Sequence, residues 1–338
     1  MHILLISLVT ISCFAQQVVL KEDHLFNTTF LTDYSEVAKC VVAEEEFERV
    51  SFSSLDGIQL AGLARIKPNA PYSVVCCAGF LPGRKEGLAT FIRLLPPEAN
   101  ILFFDARGHG DSYGRFWTNL HNYGLNEYKD VAAAIDYIKT KSAYNTPIFL
   151  HGLCAGAYHA ANTLMIMPKD DQIKGLIFDS GLTNPLDSMD IPGEYCKEKT
   201  APALCAKFYR ESKEKAKTRF LSKILGAIGA GFFRLLGACV YPFLKQKAAR
   251  LDLLAKAQIR PIQYPVLFIH AESDKFAKID PVKKLAAQIN TDPENCWWIP
   301  DAQKKEDPRP EHALNQIKCK HEYLARLRAF IDKQLLNA

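Results

Sequence analysis

The segment 152–156 carries the residue with the clearest capacity for covalent chemistry. It reads Gly-Leu-Cys-Ala-Gly, and Cys154 stands at its centre between an apolar run that predicts a strand (147–151) and a run with helical spacing (155–167). A sharp strand-to-helix turn forces its central residue into a strained conformation and lifts that side chain clear of the sheet. Glycines two residues to either side let the neighbouring backbones approach. Because the N-terminal end of a helix favours an anion, the turn predicts an exposed, nucleophilic thiolate.

Short apolar runs alternate with segments of helical spacing along most of the chain. Two runs, 47–52 and 58–66, flank a Leu-Asp-Gly turn and predict a β-hairpin. The other predicted strands are 73–78, 100–105, 147–151, 173–178, 265–270 and 296–299, and the predicted helices are 87–95, 125–140, 155–167, 281–289 and 322–336. Short, continuously apolar strands between helices indicate a parallel sheet buried on both faces. The predicted fold class is α/β, with a mostly parallel central sheet and helices on both faces.

Composition excludes several classes of protein. The 338 residues are 48% hydrophobic and 23% charged, which is typical of a chain with a sizeable core and not of a disordered one. The net charge of +5 is mild and there is no long Lys/Arg run, so no nucleic acid partner is expected. No C-x-x-C pair or zinc-like Cys/His spacing is present, and we expect neither a metal nor a cofactor.

Several segments, in this order along the chain, resemble the α/β-hydrolase superfamily. The turn at 152–156 is similar to its G-x-S-x-G nucleophile elbow, with Cys in place of Ser as in dienelactone-hydrolase-like members. Residues 76–80 (Cys-Cys-Ala-Gly-Phe) stand where the family has a strand ending in His-Gly, and 105–112 read Asp-Ala-Arg-Gly-His-Gly-Asp-Ser, as in its Asp-x-Arg-Gly-His-Gly-x-Ser turn. Residues 272–274 (Glu-Ser-Asp) resemble the acid-bearing loop, and His312 falls where the family places its histidine. The resemblance covers 46–185 and 263–336.

The resemblance implies roles for five residues. Cys154 is the nucleophile, His312 the general base and then the general acid, and Asp274 the residue that orients the imidazole. The backbone N–H groups of Ala155 and Phe80 form the oxyanion hole. Two departures bear on these roles, because the usual Ser is Cys and the usual His before Gly79 is Ala78.

Other residues compete for the same roles. Asp179, just after the strand that ends at residue 178, is the reserve acid, and Glu272 is a third candidate. His321 competes with His312, but its place at the start of the final helix favours a solvated cap. Cys154 itself could be inert in a scaffold that has lost catalysis.

Residues 186–262 interrupt the alternation and predict an inserted helical cap. The α/β-hydrolase core is then 16–185 together with 263–338. Within the cap, 220–244 is apolar, and the possible helix 220–236 carries Lys223 and Arg234 on nearly one face. Such a helix could roof an acyl-binding pocket, lie in a membrane interface as a peripheral contact, or simply pack on the core.

The first fifteen residues predict export. Residues 3–11 are apolar over the length of a signal-peptide h-region, and Cys13-Phe14-Ala15 offers a small-x-small cleavage site. Residues 1–15 are therefore interpreted as a signal peptide of a periplasmic, secreted or lipid-anchored protein. The alternative is a buried first strand or helix and a cytoplasmic protein. Without Cys13, nine of the ten cysteines remain, which predicts at least one unpaired thiol, and Cys196 with Cys205 is the predicted disulfide.

A cysteine nucleophile constrains the substrate. The tetrahedral intermediate must expel either the thiolate or the leaving group, and thiolate leaves far more easily than an amide nitrogen or an unprotonated alkoxide. We therefore expect a small-molecule acyl substrate with an activated or apolar acyl group, hydrolysed as an ester or thioester through an acyl-cysteine. Two alternatives remain, an acyltransferase using the same site and a non-catalytic ligand-binding protein.

Overall fold

A parallel sheet with an antiparallel edge forms the centre of the molecule. The computed structural model describes residues 47–79, 97–114, 122–185, 247–274, 276–300, 312–313, 315 and 319–336. All of them belong to one compact unit, which comprises 41–189 and 238–338. The predicted signal peptide, the helix at 87–95, Phe80, the Cys196–Cys205 pair and the apolar stretch 220–244 lie outside the described residues.

Eight strands and six α-helices are described. The strands are β1 (Glu48–Ser53), β2 (Gln59–Arg65), β3 (Ser73–Cys77), β4 (Asn100–Phe104), β5 (Ile148–Leu153), β6 (Ile173–Asp179), β7 (Val266–Ala271) and β8 (Cys296–Ile299). The helices are α1 (Tyr128–Lys141), α2 (Ala155–Ile166), α3 (Ala248–Leu251), α4 (Leu253–Ile259), α5 (Ile279–Gln288) and α6 (Lys320–Leu336), and a 3₁₀ turn spans Pro293–Asn295. The predicted strands and the predicted helices inside the described residues are confirmed, with ends that move by up to three residues.

The strand order is β1-β2-β4-β3-β5-β6-β7-β8. The pairs β1/β2 and β2/β4 are antiparallel, and every other pair is parallel. The carboxyl ends of β3, β5, β6 and β7 therefore meet at one edge of the sheet. In open α/β sheets that edge is where ligands bind.

Both faces of the sheet are covered, as the apolar strands predict. Alternate strand residues point to opposite faces. Ile148 and Leu150 belong to the apolar core shared with α1, α2, α4 and α5. The ring of Phe149 instead lies 6.3 Å from that of Phe330 on α6. Helix α6 therefore covers the face opposite to the one under α1 and α2.

The turn that follows β4 is held by its own side chains. The Ser112 hydroxyl donates to the Asp105 carbonyl oxygen (2.5 Å) and accepts from the Ala61 N–H (2.9 Å), which ties the turn to β2. Gly110 has φ +49°, and a Cβ there would lie 2.0 Å from Asp105 Oδ2. The glycine is therefore required by both its conformation and the space available to it.

Arg107 of the same turn is buried and fixes the turn to α1. Its guanidinium donates to both oxygens of Asp130 over 2.7–3.1 Å, and its Nη1 and Nη2 donate to Asp56. These bonds raise the pKa of the guanidinium above its ordinary value, although burial alone would lower it. The segment that resembled the family's Asp-x-Arg-Gly-His-Gly-x-Ser turn is thus a structural corner beside the sheet edge.

Helices α3 and α4 lie within the range 186–262 that was predicted as a cap. Leu253 of α4 is buried, and its N–H donates to the Thr183 carbonyl oxygen at 2.9 Å. Helix α4 contacts α2 and α5, so this part of the segment packs on the core. Residues 186–246 lie outside the described residues. Within the residues that the structure describes, no helix combines the length and the apolar character needed to cross a membrane.

Candidate active site

Cys154 stands between β5 and α2 in the strained conformation that the sequence predicts. Its backbone has φ 55° and ψ −119°, a region that residues with a Cβ rarely adopt. The Cys154 N–H donates to the Asp179 carbonyl oxygen at 2.9 Å, so β6 holds the turn from the side. Cys154 is half-buried, whereas Cys76 and Cys77 are fully buried in β3.

Three glycines make room for the turn. A Cβ on Gly152 would lie 2.3 Å from the Cα of Ala157, and one on Gly156 would lie 2.0 Å from the Cys77 carbonyl oxygen. A Cβ on Gly79 would lie 3.3 Å from the Cβ of Cys154. The end of β3 therefore lies directly beside the thiol.

His312 and Asp274 form a buried hydrogen-bonded pair. The Nδ1–H of His312 donates to Asp274 Oδ2 at 2.7 Å. The other carboxylate oxygen, Oδ1, accepts from the backbone N–H groups of Phe276 (2.8 Å) and Ala277 (2.9 Å). Burial raises the pKa of Asp274, but the charge of His312 and these hydrogen bonds outweigh it and leave the pKa below its ordinary value. The carboxylate is thus ionised and fixed through both of its oxygens.

The imidazole of His312 connects the acid to the thiol. Burial lowers the pKa of His312, but the charge of Asp274 and the hydrogen bonds with Asp274 and Cys154 raise it well above its ordinary value. Because Nδ1 is occupied by Asp274, Nε2 is the ring nitrogen that remains for Cys154. The three side chains predicted from the sequence as nucleophile, base and acid are therefore brought together.

The competing acids and the competing histidine make other contacts. Glu272 is exposed and lies 3.6 Å from Lys283 Nζ. His321 is exposed on α6. Asp179 is buried, and its hydrogen-bond partners are Asn315, Ser180 and Tyr323.

Of the two residues predicted for the oxyanion hole, the structure describes one. Ala155 is the first residue of α2, and the first N–H groups of a helix have no partner within the helix. Phe80 lies outside the described residues, two positions after Ala78. Gly79, its immediate neighbour, lies beside Cys154 as described above.

Three further histidines near the sheet edge are buried or partly buried, and their hydrogen bonds and ring contacts described here are with residues other than His312 and Asp274. His151 Nε2 lies 2.9 Å from the Tyr323 hydroxyl, and burial lowers the pKa of His151 to about 4. His159, one turn into α2, has its pKa lowered by burial to about 3 and packs edge-on against Tyr123. His109 Nδ1 lies 3.2 Å from the Arg107 carbonyl oxygen within its own turn.

Backbone strain is concentrated at this site. Five non-glycine residues of the described part have positive φ, and three of them lie here: Cys154 (55°), Ser180 (50°) and Ala313 (58°). Such conformations persist only where surrounding contacts hold them, and they cluster at functional sites. Ser180, Asn315 and Tyr323 were not predicted from the sequence. Within the described residues, no group of three or more His, Cys, Asp or Glu side chains could hold a metal ion.

The sheet order, the strained turn after β5 and the side chains at the carboxyl ends of β6 and β7 define an α/β-hydrolase architecture. A model of the alpha/beta hydrolase family matches residues 74–310. The protein therefore belongs to the alpha/beta hydrolase family. Among curated proteins, it is similar to the uncharacterized protein YqkD of Bacillus subtilis, with 22% identity over 297 residues that make up 85% of this chain and 81% of that protein.

Solved structures share the fold at low sequence identity. The Pyrococcus furiosus esterase Pf2001 is 19% identical, with a TM-score of 0.53 over 86% of this chain and 93% of that one. The esterase EaEST of Exiguobacterium antarcticum is 14% identical, with a TM-score of 0.53 over 84% of this chain and 100% of that one. A bacterial membrane phospholipase A is 17% identical, with a TM-score of 0.55 over 100% of both chains.

Proposed function

We propose that the protein is an acyl hydrolase that cleaves carboxylic esters or thioesters through a covalent acyl-cysteine. The observation that carries the proposal is the position of His312, whose Nδ1 hydrogen-bonds Asp274 at 2.7 Å and whose pKa is raised by Asp274 and by the neighbouring Cys154 side chain. Nucleophilic catalysis requires a nucleophile and a base within hydrogen-bond reach of each other, and a third group that orients the base.

The resting site holds its proton on the imidazole. A pKa of His312 well above its ordinary value favours an imidazolium beside the Cys154 side chain. Asp274 stabilises the imidazolium and fixes the ring orientation.

The reaction proceeds in two halves. The Cys154 thiolate bonds to the carbonyl carbon, and the displaced π pair forms an oxyanion that the Ala155 N–H stabilises. The intermediate collapses, the bond to the alcohol or thiol breaks, and the leaving group takes the proton from His312. Water then gives a proton to His312 and bonds to the acyl carbon, and the carboxylic acid departs as Cys154 is released as thiolate.

Leaving-group chemistry points to the substrate class. The first intermediate must expel the substrate's leaving group in preference to the Cys154 thiolate, which favours thioesters, aryl esters and enol esters. The fold neighbours named as esterases and as a phospholipase support carboxylic ester bonds as the bond type. The proposed substrate is an activated ester or a thioester of an apolar acyl group.

The test compares removal of the Cys154 thiol with removal of a second thiol, that of Cys296. Cys154→Ala is expected to lower kcat/KM for p-nitrophenyl butyrate and for a butyryl thioester by roughly 10³-fold or more. Cys296→Ala removes a half-buried thiol of β8 and is expected to leave both values unchanged. A Cys154→Ala protein as active as the parent would eliminate the proposal.

A further inference from the structure

Asp179, at the carboxyl end of β6, contacts the Cys154 turn through its backbone carbonyl oxygen and the residues after His312 through its side chain. Its backbone carbonyl oxygen accepts the Cys154 N–H at 2.9 Å. Its side-chain Oδ1 accepts from Asn315 Nδ2 at 2.8 Å, three residues beyond His312. One buried residue therefore holds both the nucleophile turn and the segment that carries the imidazole.

Ser180 supplies a second connection to the same segment. Its hydroxyl donates to Asp179 Oδ1 (2.9 Å) and accepts from the Ala313 N–H (3.2 Å) and from Asn315 Nδ2 (2.9 Å). Ala313 directly follows His312 and has positive φ, as does Ser180. The strained backbone at Ala313, beside His312, is thus held by the side-chain hydroxyl of Ser180.

The direction of these hydrogen bonds requires an acceptor at position 179. The Tyr323 hydroxyl donates to Asp179 Oδ2 at 3.0 Å, so His151 Nε2–H is the donor in the 2.9 Å bond to Tyr323. The carboxylate therefore receives hydrogen bonds from Asn315, Ser180 and Tyr323. An amide at position 179 would present an N–H₂ group to one of these partners, and the hydroxyl facing it would then have to accept a hydrogen bond in place of donating one.

The titratable groups around Asp179 are His151, Tyr323 and His312. Burial raises the pKa of Asp179 to about 6, and the hydrogen bonds from Asn315, Ser180 and Tyr323 keep it from rising further, as does the charge of His312. The buried carboxylate is thus ionised at neutral pH.

We propose that Asp179 is a positioning residue: its carboxylate holds the side chain of Asn315, and thereby places the imidazole of His312 against the thiol of Cys154. The inference rests on the proposed function for the roles of His312 and Cys154. Asp179 itself touches neither reacting atom. It acts by fixing the distance between the turn that carries Cys154 and the residues that follow His312.

The test uses Asp179→Asn and, as a second disruption of the same link, Asn315→Ala. Two quantities are measured on each folded protein, namely kcat and KM for p-nitrophenyl butyrate, and the pH dependence of Cys154 alkylation by iodoacetamide, followed by peptide mass. The matched control is Asp130→Asn, which makes the same chemical change at another fully buried aspartate, in the Arg107 corner.

Displacement of the imidazole is expected to lower kcat roughly 10- to 100-fold with KM changed less than about 2-fold. The alkylation midpoint of Cys154 is expected to move to higher pH in both variants, because the thiolate loses its imidazolium partner. Asp130→Asn is expected to lose stability but to keep the parental kcat and midpoint. The inference would be overturned if Asn315→Ala, and Asp179→Asn if it folds, kept the kcat and the Cys154 alkylation midpoint of the parent.

The alkylation measurement needs no substrate, which separates this inference from the proposed function. A shifted alkylation midpoint in a protein whose esterase activity survives Cys154→Ala would support the positioning role and reject the acyl-cysteine mechanism. An unshifted midpoint in a protein whose activity requires Cys154 would reject the positioning role alone.

Discussion

Gly156 of α2 packs so closely against Cys77 of β3 that a Cβ on Gly156 would lie 2.0 Å from the Cys77 carbonyl oxygen. The same Cβ would lie 2.5 Å from the Ala78 carbonyl oxygen. Both obstacles are backbone atoms of the sheet edge, which a side-chain rotation cannot remove. The contact sets how close the first turn of α2, and with it Cys154, lies to the end of β3.

Gly156→Ala is therefore expected to destabilise the protein by about 1–3 kcal/mol and to lower kcat, because α2 must move away from β3. Urea unfolding and p-nitrophenyl ester kinetics measure the two effects. Gly57→Ala is the control: it adds φ strain at +84° in open space, away from the site, and should cost about 1 kcal/mol with kcat unchanged. Equal kcat in the Gly156→Ala variant and the parent would contradict the assigned role of this contact.

Asp274→Asn is expected to lower kcat by roughly 10³-fold or more with the fold intact. The N–H groups of Phe276 and Ala277 require an oxygen at the Oδ1 position, so the amide nitrogen must face His312 Nδ1. Nδ1 then has to accept a hydrogen bond, and the ring is held in the wrong tautomer. Steady-state kinetics measure the effect, with Glu272→Gln as the control, since Glu272 is exposed and pairs with Lys283. A loss of less than about 10-fold would argue against this orientation of the ring.

His159 makes the protein more sensitive to acid. Its pKa is lowered by burial to about 3 in the folded state, against 6.5 for an ordinary histidine. As the pH falls from 6.5 towards 3, the histidine is protonated in the unfolded chain but stays neutral in the folded protein. The stability contributed by the neutral ring is therefore fully present above pH 6.5 and is lost progressively as the pH falls below it.

The prediction for His159→Gln is a shallower loss of stability with acid. Over that range the slope of unfolding free energy against pH should fall by up to about 1.4 kcal/mol per pH unit relative to the parent. The comparison must be between variant and parent, because Asp179 and Glu127 have raised pKa values and contribute with the opposite sign. Urea titrations at a series of pH values measure the slope, and parallel curves would count against the prediction.

Arg107→Lys is expected to cost about 1.5–3 kcal/mol, since a lysine keeps the charge but cannot reproduce the forked contact to the buried carboxylate of Asp130. Chemical unfolding measures the loss. Arg49→Lys is the matched control, because Arg49 lies 3.8 Å from Asp111 on the surface, where such a pair contributes about 0–1 kcal/mol. Similar losses for both variants would show that the Arg107 corner does not stabilise the fold.

Much of the fold was predictable because its signals are local. Apolar runs such as 100–105 predicted buried strands, and the glycines around Cys154 predicted the strained turn, since each depends on neighbours within a few residues. The position of His312 and Asp274 came from resemblance. Their approach across 38 residues of sequence is fixed by the sheet, not by any local pattern.

The choice between Asp274 and Asp179 shows where sequence reasoning ends. Both follow parallel strands and lie at the same sheet edge, so their spacing alone cannot separate them. In the folded protein the two carboxylates have different hydrogen-bond partners. Asp274 accepts from the backbone N–H groups that follow it and from His312, whereas Asp179 accepts from Asn315, Ser180 and Tyr323. Tyr323, which is 144 residues from Asp179, is a buried polar partner that periodicity cannot reveal because it occupies the apolar face of α6.

Mass spectrometry of the protein mixed with p-nitrophenyl acetate tests whether the sulfur of Cys154 carries the acyl group. His312→Ala removes the base that activates water, so acyl-enzyme should accumulate. We expect a single acetyl group on the peptide containing Cys154, released by hydroxylamine at neutral pH and absent from Cys154→Ala. Acetylation of other residues with Cys154 unmodified, while the parent hydrolyses the ester, would contradict the acyl-cysteine mechanism.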